Sequence, residues 1–158
     1  MKNVITRRLE FDAAHRILGH EGKCANLHGH RYAAEISVSA GLDSIGRVID
    51  YGVIKERIGS WIDKYWDHNI LLHKDDLLLE VFNKSKDHDK SKSYYDITKI
   101  PYVMSCNPTA ENIARELYAK CNQLFNIDEQ ILTMEQVRIY ETPNCWADWT
   151  REYQEEIA

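Results

Sequence analysis

The sequence predicts an α+β domain in which an antiparallel four-stranded sheet carries two helices on one face. Three observations lead to this prediction. Apolar and polar residues alternate along segments near both ends of the chain, which is typical of half-buried strands. Two intervening segments carry apolar residues at helical spacing. Strands grouped in pairs, with helices between the pairs, favour an antiparallel sheet.

The first two strands are predicted over residues 4–15 and 28–40 from their period-two alternation. On the first strand, one face carries Ile5, Leu9, Phe11, Ala13 and His15. On the second strand, one face carries His28, His30, Tyr32, Ala34, Ile36, Val38 and Ala40. The following "GLDSIGRVIDY" is interpreted as a turn and a short third strand, which would form a hairpin with the second.

Asp50 is suited to cap the first helix. Its apolar stripe is predicted to contain Tyr51, Ile54, Ile58, Trp61, Ile62 and Tyr65. A second helix begins near "CNPTAEN", with Asn107 or Thr109 as its cap. Its buried stripe is predicted to contain Ile113, Ala114, Leu117, Tyr118, Cys121 and Leu124. The segment "EQVRIYETPNCWADWTREY" is then expected to form a closing hairpin that turns at "TPN".

Length and composition limit the classes of protein. We expect the 158 residues to form a single domain over 1–158, with a variable polar insertion at about 77–100. A net charge of −5 argues against a nucleic-acid partner. No segment has the ~20 apolar residues of a membrane span, and the first residues lack a signal-peptide core, so a cytoplasmic protein with no membrane partner is expected. The four cysteines form no C-x-x-C pair and are expected to be reduced.

The segment "CANLHGHRY" places a cysteine and two histidines close together. His28 and His30 are two positions apart on a predicted strand, so their side chains project to the same side. If the first two strands pair, His15 completes a three-histidine site whose fourth position is open, as in catalytic zinc centres. The alternative is that H-G-H is a chance pair beside a turn.

Cys24, four residues before His28, has several possible roles. The thiol could be a fourth zinc ligand, a nucleophile or a base, or simply a small buried apolar group. Asp67 and His68 form a second candidate pair, since a carboxylate beside an imidazole fixes its tautomer and raises its basicity. The alternative for this pair is a solvated helix end.

Glu141 is the least expected residue of the last strands. It shares parity with Val137 and Ile139, so the pattern directs a carboxylate toward the apolar face. Such a carboxylate requires a partner, either an arginine or a ligand with adjacent N–H donors. If the strand instead ended at Tyr140, Glu141 would be in solvent.

Six motifs occur in an order and spacing that resemble a known family: "FDAAHRI", "CANLHGHRY", "GRVIDY", "WDHNIL", "NPTAEN" and "YETPN". The family is that of 6-pyruvoyl-tetrahydropterin synthase and 6-carboxy-tetrahydropterin synthase (QueD), and the resemblance covers nearly the whole chain except about 77–100. It implies the tunnelling fold (T-fold), assembled as a trimeric barrel. Two such trimers usually stack, which implies a homohexamer with active sites near subunit interfaces.

The resemblance also implies roles for individual residues. It implies one Zn²⁺ per subunit, held by His15, His28 and His30. Cys24 would be the base that abstracts a proton, and Asp67 and His68 would relay protons. Glu141 would bind the pterin through its 2-amino and ring N–H groups. Two further residues would line the substrate pocket: Thr109 and Glu111.

The implied activity is that of a lyase acting on 7,8-dihydroneopterin triphosphate. The spelling of the motifs favours conversion to 6-carboxy-5,6,7,8-tetrahydropterin with release of acetaldehyde and triphosphate, a step toward queuosine and other 7-deazapurines. Two alternatives remain: a 6-pyruvoyl-tetrahydropterin synthase, which eliminates triphosphate only, and a catalytically silent, zinc-stabilised pterin-binding protein. The chain departs from the family at Leu72, where an asparagine is common, and in the longer insertion that follows.

Overall fold

The computed structural model describes residues 3–85, 100–125 and 132–156. Within them, six strands form one sheet in the order β4-β3-β1-β2-β5-β6. The strands are β1 (Asn3–His15), β2 (His28–Ala40), β3 (Asn69–His73), β4 (Tyr102–Met104), β5 (Thr133–Thr142) and β6 (Cys145–Thr150). The helices are α1, formed by the successive pieces Tyr51–Ile54, Lys55–Gly59 and Ser60–Tyr65, then α2 (Leu78–Ser85), α3 (Ala110–Phe125) and α4 (Arg151–Glu156).

The predicted α+β class is confirmed, and the four long strands pair antiparallel as expected. Their alternation places one face of β1 and β2 against α1 and α3, so both helices cover the same face of the sheet. The residues at this interface are almost entirely apolar and buried, and include Phe11, Tyr32, Ile54, Ile58, Ile113 and Leu117. Burial of this apolar area is the main stabilising contribution to the fold.

Two strands were not predicted, so the sheet has six strands rather than four. β3 and β4 are only five and three residues long, and both pair parallel: β3 beside the end of β1, and β4 beside β3. Elements this short show no periodicity that could separate them from a buried loop. Leu72, the departure from the family pattern, is fully buried in β3.

The predicted short strand in "GRVIDY" is wrong, because a side chain satisfies the backbone there instead of a neighbouring strand. The Asp43 carboxylate accepts hydrogen bonds from the backbone N–H groups of Ile45 at 3.0 Å and Arg47 at 2.9 Å. It also accepts from the Arg47 guanidinium at 3.0 Å. Short acidic side chains compete with regular structure in this way.

The predicted helices are present, with two differences in the first. Asp50 caps α1 by accepting from the Gly52 N–H at 2.7 Å, as expected. The central piece of α1 is a π-helical turn, and Tyr51 and Tyr65 are exposed rather than buried. The first part of the predicted insertion forms α2, and residues 86–99 lie outside the described residues. No helix among the described residues has the length and apolarity to cross a membrane.

Candidate functional site

Three imidazoles meet at one end of the β1–β2 ladder. The register pairs His15 with His28 and Ala13 with His30, so that both strands direct their histidines to the same face. The candidate ligand nitrogens of His15, His28 and His30 all lie within 4.8 Å of one another. Among the described residues, this is the only group of three or more His, Cys, Asp or Glu side chains close enough to hold a metal ion. We call it the histidine trio.

Backbone carbonyls fix the tautomers of two members of the trio. The Nδ1–H of His15 donates to the carbonyl of Pro108 at 2.7 Å, and the Nδ1–H of His28 donates to the carbonyl of Asn26 at 2.8 Å. Because a carbonyl only accepts, the proton is on Nδ1 in both rings, and each Nε2 presents a lone pair. Hydrogen bonding of the second ring nitrogen is the usual way in which metal-binding histidines are oriented.

The free nitrogens of the trio are suited to a cation. The Nε2 atoms of His15 and His30 are buried and have no hydrogen-bond partner. Burial lowers the pKa of both imidazoles, although the nearby Glu141 carboxylate opposes this effect. Neutral rings with buried, unpartnered lone pairs fit a divalent metal that favours nitrogen ligands, and three such ligands leave a coordination position open.

The lowered pKa values predict how the metal-free protein responds to acid. Between the ordinary histidine value of 6.5 and the lower values of folded His15 and His30, the unfolded chain binds more protons than the folded chain. The free energy of unfolding should therefore fall as the pH is lowered from 7.5 through 6.5 toward 5.5. Urea unfolding of the metal-free protein measures this change. A His30→Gln variant should show a smaller decrease, and equal pH dependence in the two proteins would contradict the assignment.

Glu141 reaches the trio from β5. Its Oε1 lies 3.5 Å from the Nε2 of His15 and 3.9 Å from the Nε2 of His30, and its side chain is 29% exposed. β5 continues to Thr142, so Glu141 is not beyond the strand. The β5–β6 register shifts between Tyr140 and Thr142, which makes Glu141 the extra residue of a β-bulge.

Cys24 lies in a 3₁₀ turn, Lys23–Ala25, within the loop that joins β1 to β2. Its carbonyl accepts from the Ile17 N–H at 2.8 Å, which closes the loop. Asn107 then holds the loop against the start of α3, since its side-chain amide donates to the carbonyl of Leu18 and accepts from the Leu18 N–H, both at 2.8 Å. The Cys24 sulfur is not among the ligand atoms of the trio that lie within 4.8 Å of one another.

Asp67 and His68 form a hydrogen-bonded pair that is attached to β1. The Nδ1–H of His68 donates to Asp67 at 2.6 Å, and Asp67 accepts from the backbone N–H of Asp12 at 2.9 Å. The His68 N–H donates to the Asp12 carbonyl at 2.7 Å, and His68 has a positive φ of 52°. A non-glycine residue in this region is strained and needs such support. The His68 side chain is 76% exposed, and it shares a surface groove with His30 without joining the trio.

The structure places the two pocket candidates of the "NPTAEN" motif differently. Thr109 precedes α3 and caps it, accepting from the Asn112 N–H at 3.4 Å. Glu111 is exposed in the first turn of α3. Two other residues of this motif are linked to the trio or its surroundings: Pro108, through His15, and Asn107, through the loop that carries Cys24. The sequence alone does not indicate these two roles, because both depend on hydrogen bonds to backbone groups between segments that are more than eighty residues apart in the chain.

Comparisons with known proteins agree with one another. A 6-pyruvoyl tetrahydropterin synthase family profile matches residues 4–152. A 6-carboxy-5,6,7,8-tetrahydropterin synthase from Rickettsia bellii is 41% identical over 146 residues, covering 90% of this chain and 96% of the relative. The Rickettsia felis protein of the same name is 43% identical over equal coverage.

Solved structures support the fold independently of close sequence similarity. An uncharacterized protein from Wolinella succinogenes superposes with a TM-score of 0.81 at 20% identity, over 96% of this chain and 99% of its own. The 6-pyruvoyl tetrahydropterin synthase of Caenorhabditis elegans superposes with a TM-score of 0.64 at 21% identity, over 95% and 96% of the two chains.

Proposed function

This chain belongs to the 6-pyruvoyl tetrahydropterin synthase family, and on that premise we propose that it converts 7,8-dihydroneopterin triphosphate to 6-carboxy-5,6,7,8-tetrahydropterin, with release of acetaldehyde and triphosphate. The product class is that of the Rickettsia relatives by name. The reaction would supply a precursor of queuosine and related 7-deazapurines.

One observation carries the proposal. Three imidazole nitrogens lie close together beside the Glu141 carboxylate, which is 3.5 Å from the Nε2 of His15. A pterin presents two adjacent N–H donors at one end of its ring and a hydroxylated side chain at the other. The Glu141 carboxylate matches the donors, because two acceptor oxygens can take two parallel hydrogen bonds. Because the carboxylate lies within 4 Å of the His15 and His30 nitrogens, it would turn away from the trio to hold this end of the ring, while the trio receives the side chain, where the reaction occurs.

The trio would hold Zn²⁺ through His15, His28 and His30, which fit it by donor type, convergence and buried lone pairs. When bound, zinc would supply Lewis-acid polarisation of the substrate side chain. Pro108 and Asn26 keep two of the ligand rings in the tautomer that this binding needs.

The remaining residues would move protons. Cys24, held in its loop by Asn107, would take a proton from the substrate side chain as a thiolate. With its Nδ1 held by Asp67, His68 would exchange protons through its Nε2. The carboxylate keeps the proton on Nδ1 and stabilises the imidazolium after His68 has accepted a second one.

The exposure of His68 favours an active site completed by a neighbouring copy. A largely solvated imidazole is a weak proton relay because water competes for its hydrogen bonds. β4 and β6 are also the two edges of the sheet among the described residues, and unpaired edges favour association with further strands. The proposed assembly is a homohexamer made of two trimers. A sedimentation mass of six chains supports it, and a stable active monomer would contradict it.

Product analysis tests the proposed reaction. The zinc-loaded protein is incubated with 7,8-dihydroneopterin triphosphate, and pterins and aldehydes are measured by mass spectrometry. We expect 6-carboxy-5,6,7,8-tetrahydropterin and one equivalent of acetaldehyde. Formation of 6-pyruvoyl-tetrahydropterin without acetaldehyde would contradict the proposed reaction and identify the protein as a 6-pyruvoyl-tetrahydropterin synthase. Tight pterin binding with no product would indicate a binding protein.

A further inference from the structure

Tyr32 is a fully buried residue whose hydroxyl has no partner. Its relative exposure is 0%, and the hydroxyl oxygen is among the buried polar atoms without a hydrogen bond. An unpaired buried hydroxyl is destabilising, and a phenylalanine of the same shape would avoid that cost. A tyrosine at such a position therefore requires an explanation that its contacts within the protein do not give.

The ring of Tyr32 is held rigidly beneath the trio. Phe11, its cross-strand partner in the β1–β2 register, stacks on it with a centroid distance of 5.2 Å and an interplanar angle of 14°. It also meets the rings of His15 at 5.8 Å and His30 at 5.6 Å, both in edge contacts. The stacked core ring and the two ligand rings leave the tyrosine little freedom to seek a partner elsewhere.

The Tyr32 ring lies on the side of the candidate site, because its edge contacts are with two rings of the trio, His15 and His30. Its hydroxyl is a buried hydrogen-bond donor for which the described residues supply no acceptor.

We propose that Tyr32 is a substrate-binding residue whose hydroxyl donates a hydrogen bond to an oxygen of the substrate side chain. This rests on the proposed function, which places a hydroxylated side chain beside the trio, above Tyr32. A ligand oxygen would satisfy the buried donor, and the donor would help to select substrates that carry that oxygen. Discrimination by a buried polar group is strong, because a ligand without the oxygen leaves that group unpaired.

The test uses the isosteric variant Tyr32→Phe and two ligands that differ only in the side chain. The first is 7,8-dihydroneopterin, and the second is 7,8-dihydropterin, which has no side chain. Dissociation constants are measured by calorimetry with the zinc-loaded protein. We expect Tyr32→Phe to bind dihydroneopterin roughly tenfold more weakly and to bind dihydropterin as the unchanged protein does.

Thermal unfolding without ligand provides a second readout and a matched control. Tyr118 is also buried, but its hydroxyl donates to the Met134 carbonyl at 3.0 Å. Tyr118→Phe should lower the Tm by about 3 °C or more and leave dihydroneopterin affinity unchanged. Tyr32→Phe should leave the Tm equal or higher, since its hydroxyl has no partner to lose.

Two results would overturn the inference while leaving the proposed function intact. One is a Tm for Tyr32→Phe that falls as far as that of Tyr118→Phe, which would mean that the hydroxyl is already paired, for example with a buried water. The other is unchanged affinity of Tyr32→Phe for dihydroneopterin. If the unchanged protein binds neither pterin, the proposed function itself fails.

Discussion

Replacing Cys24 by alanine should abolish turnover of 7,8-dihydroneopterin triphosphate while leaving the metal bound. Loss of a positioned base costs roughly 10²–10⁴-fold in rate. The sulfur is not part of the metal-binding group, so metal content should stay near one ion per chain. Steady-state kinetics and elemental analysis of the same preparation measure both quantities.

Cys145 provides the matched control for this experiment. It is a free cysteine exposed at the start of β6, outside the trio and the Cys24 loop. Cys145→Ala should turn over substrate at the unchanged rate. If Cys24→Ala lost metal and activity together, Cys24 would be a ligand. If Cys24→Ala kept its rate, the base would have to be another residue.

Glu141→Gln should weaken pterin binding by roughly two orders of magnitude. The carboxylate is expected to accept two hydrogen bonds from the pterin, and hydrogen bonds to charged groups contribute about 1.5–3 kcal/mol each. A glutamine keeps the size but loses the charge and offers one acceptor instead of two. The dissociation constant of 7,8-dihydropterin measures the effect on ring recognition without a contribution from the side chain.

The same variant distinguishes two roles for Glu141, because its carboxylate is also within 4 Å of two histidine nitrogens. A residue that binds the pterin leaves metal affinity nearly unchanged when it is replaced, whereas a metal ligand does not. Glu56→Gln, at an exposed position of α1, is the control for a change of charge alone. Loss of metal from Glu141→Gln, with normal pterin affinity in reloaded protein, would reject the proposed role.

The elements that sequence predicted well are those governed by local periodicity. The parity of β1 and β2 placed His15, His28 and His30 on one face, and the register brings them together. The parity of β5 likewise placed Glu141 on the face of Val137 and Ile139. Period two is a strong constraint, since a shift of one residue would turn every side chain to the opposite face.

What sequence did not predict depends on contacts between distant segments. β3 and β4 are too short to show a pattern and form only beside the end of β1. The sequence left Asn107 and Thr109 as alternative caps of α3; Thr109 is the cap, and the long-range pairing of the Asn107 amide with the backbone of Leu18 was not predicted. Tyr32 belonged to a predicted inward face, but only the packed structure shows that its hydroxyl has no partner.

X-ray absorption at the zinc edge tests the central claim most directly, because it reports the ligand atoms around the metal in solution. For the protein loaded with one zinc per chain, we expect a shell of nitrogen and oxygen scatterers at about 2.0–2.1 Å, with multiple scattering from three imidazoles and no sulfur. A sulfur scatterer at about 2.3 Å would mean that a thiolate closes the site. That result, or a failure to bind stoichiometric zinc, would contradict three histidines with an open position for substrate.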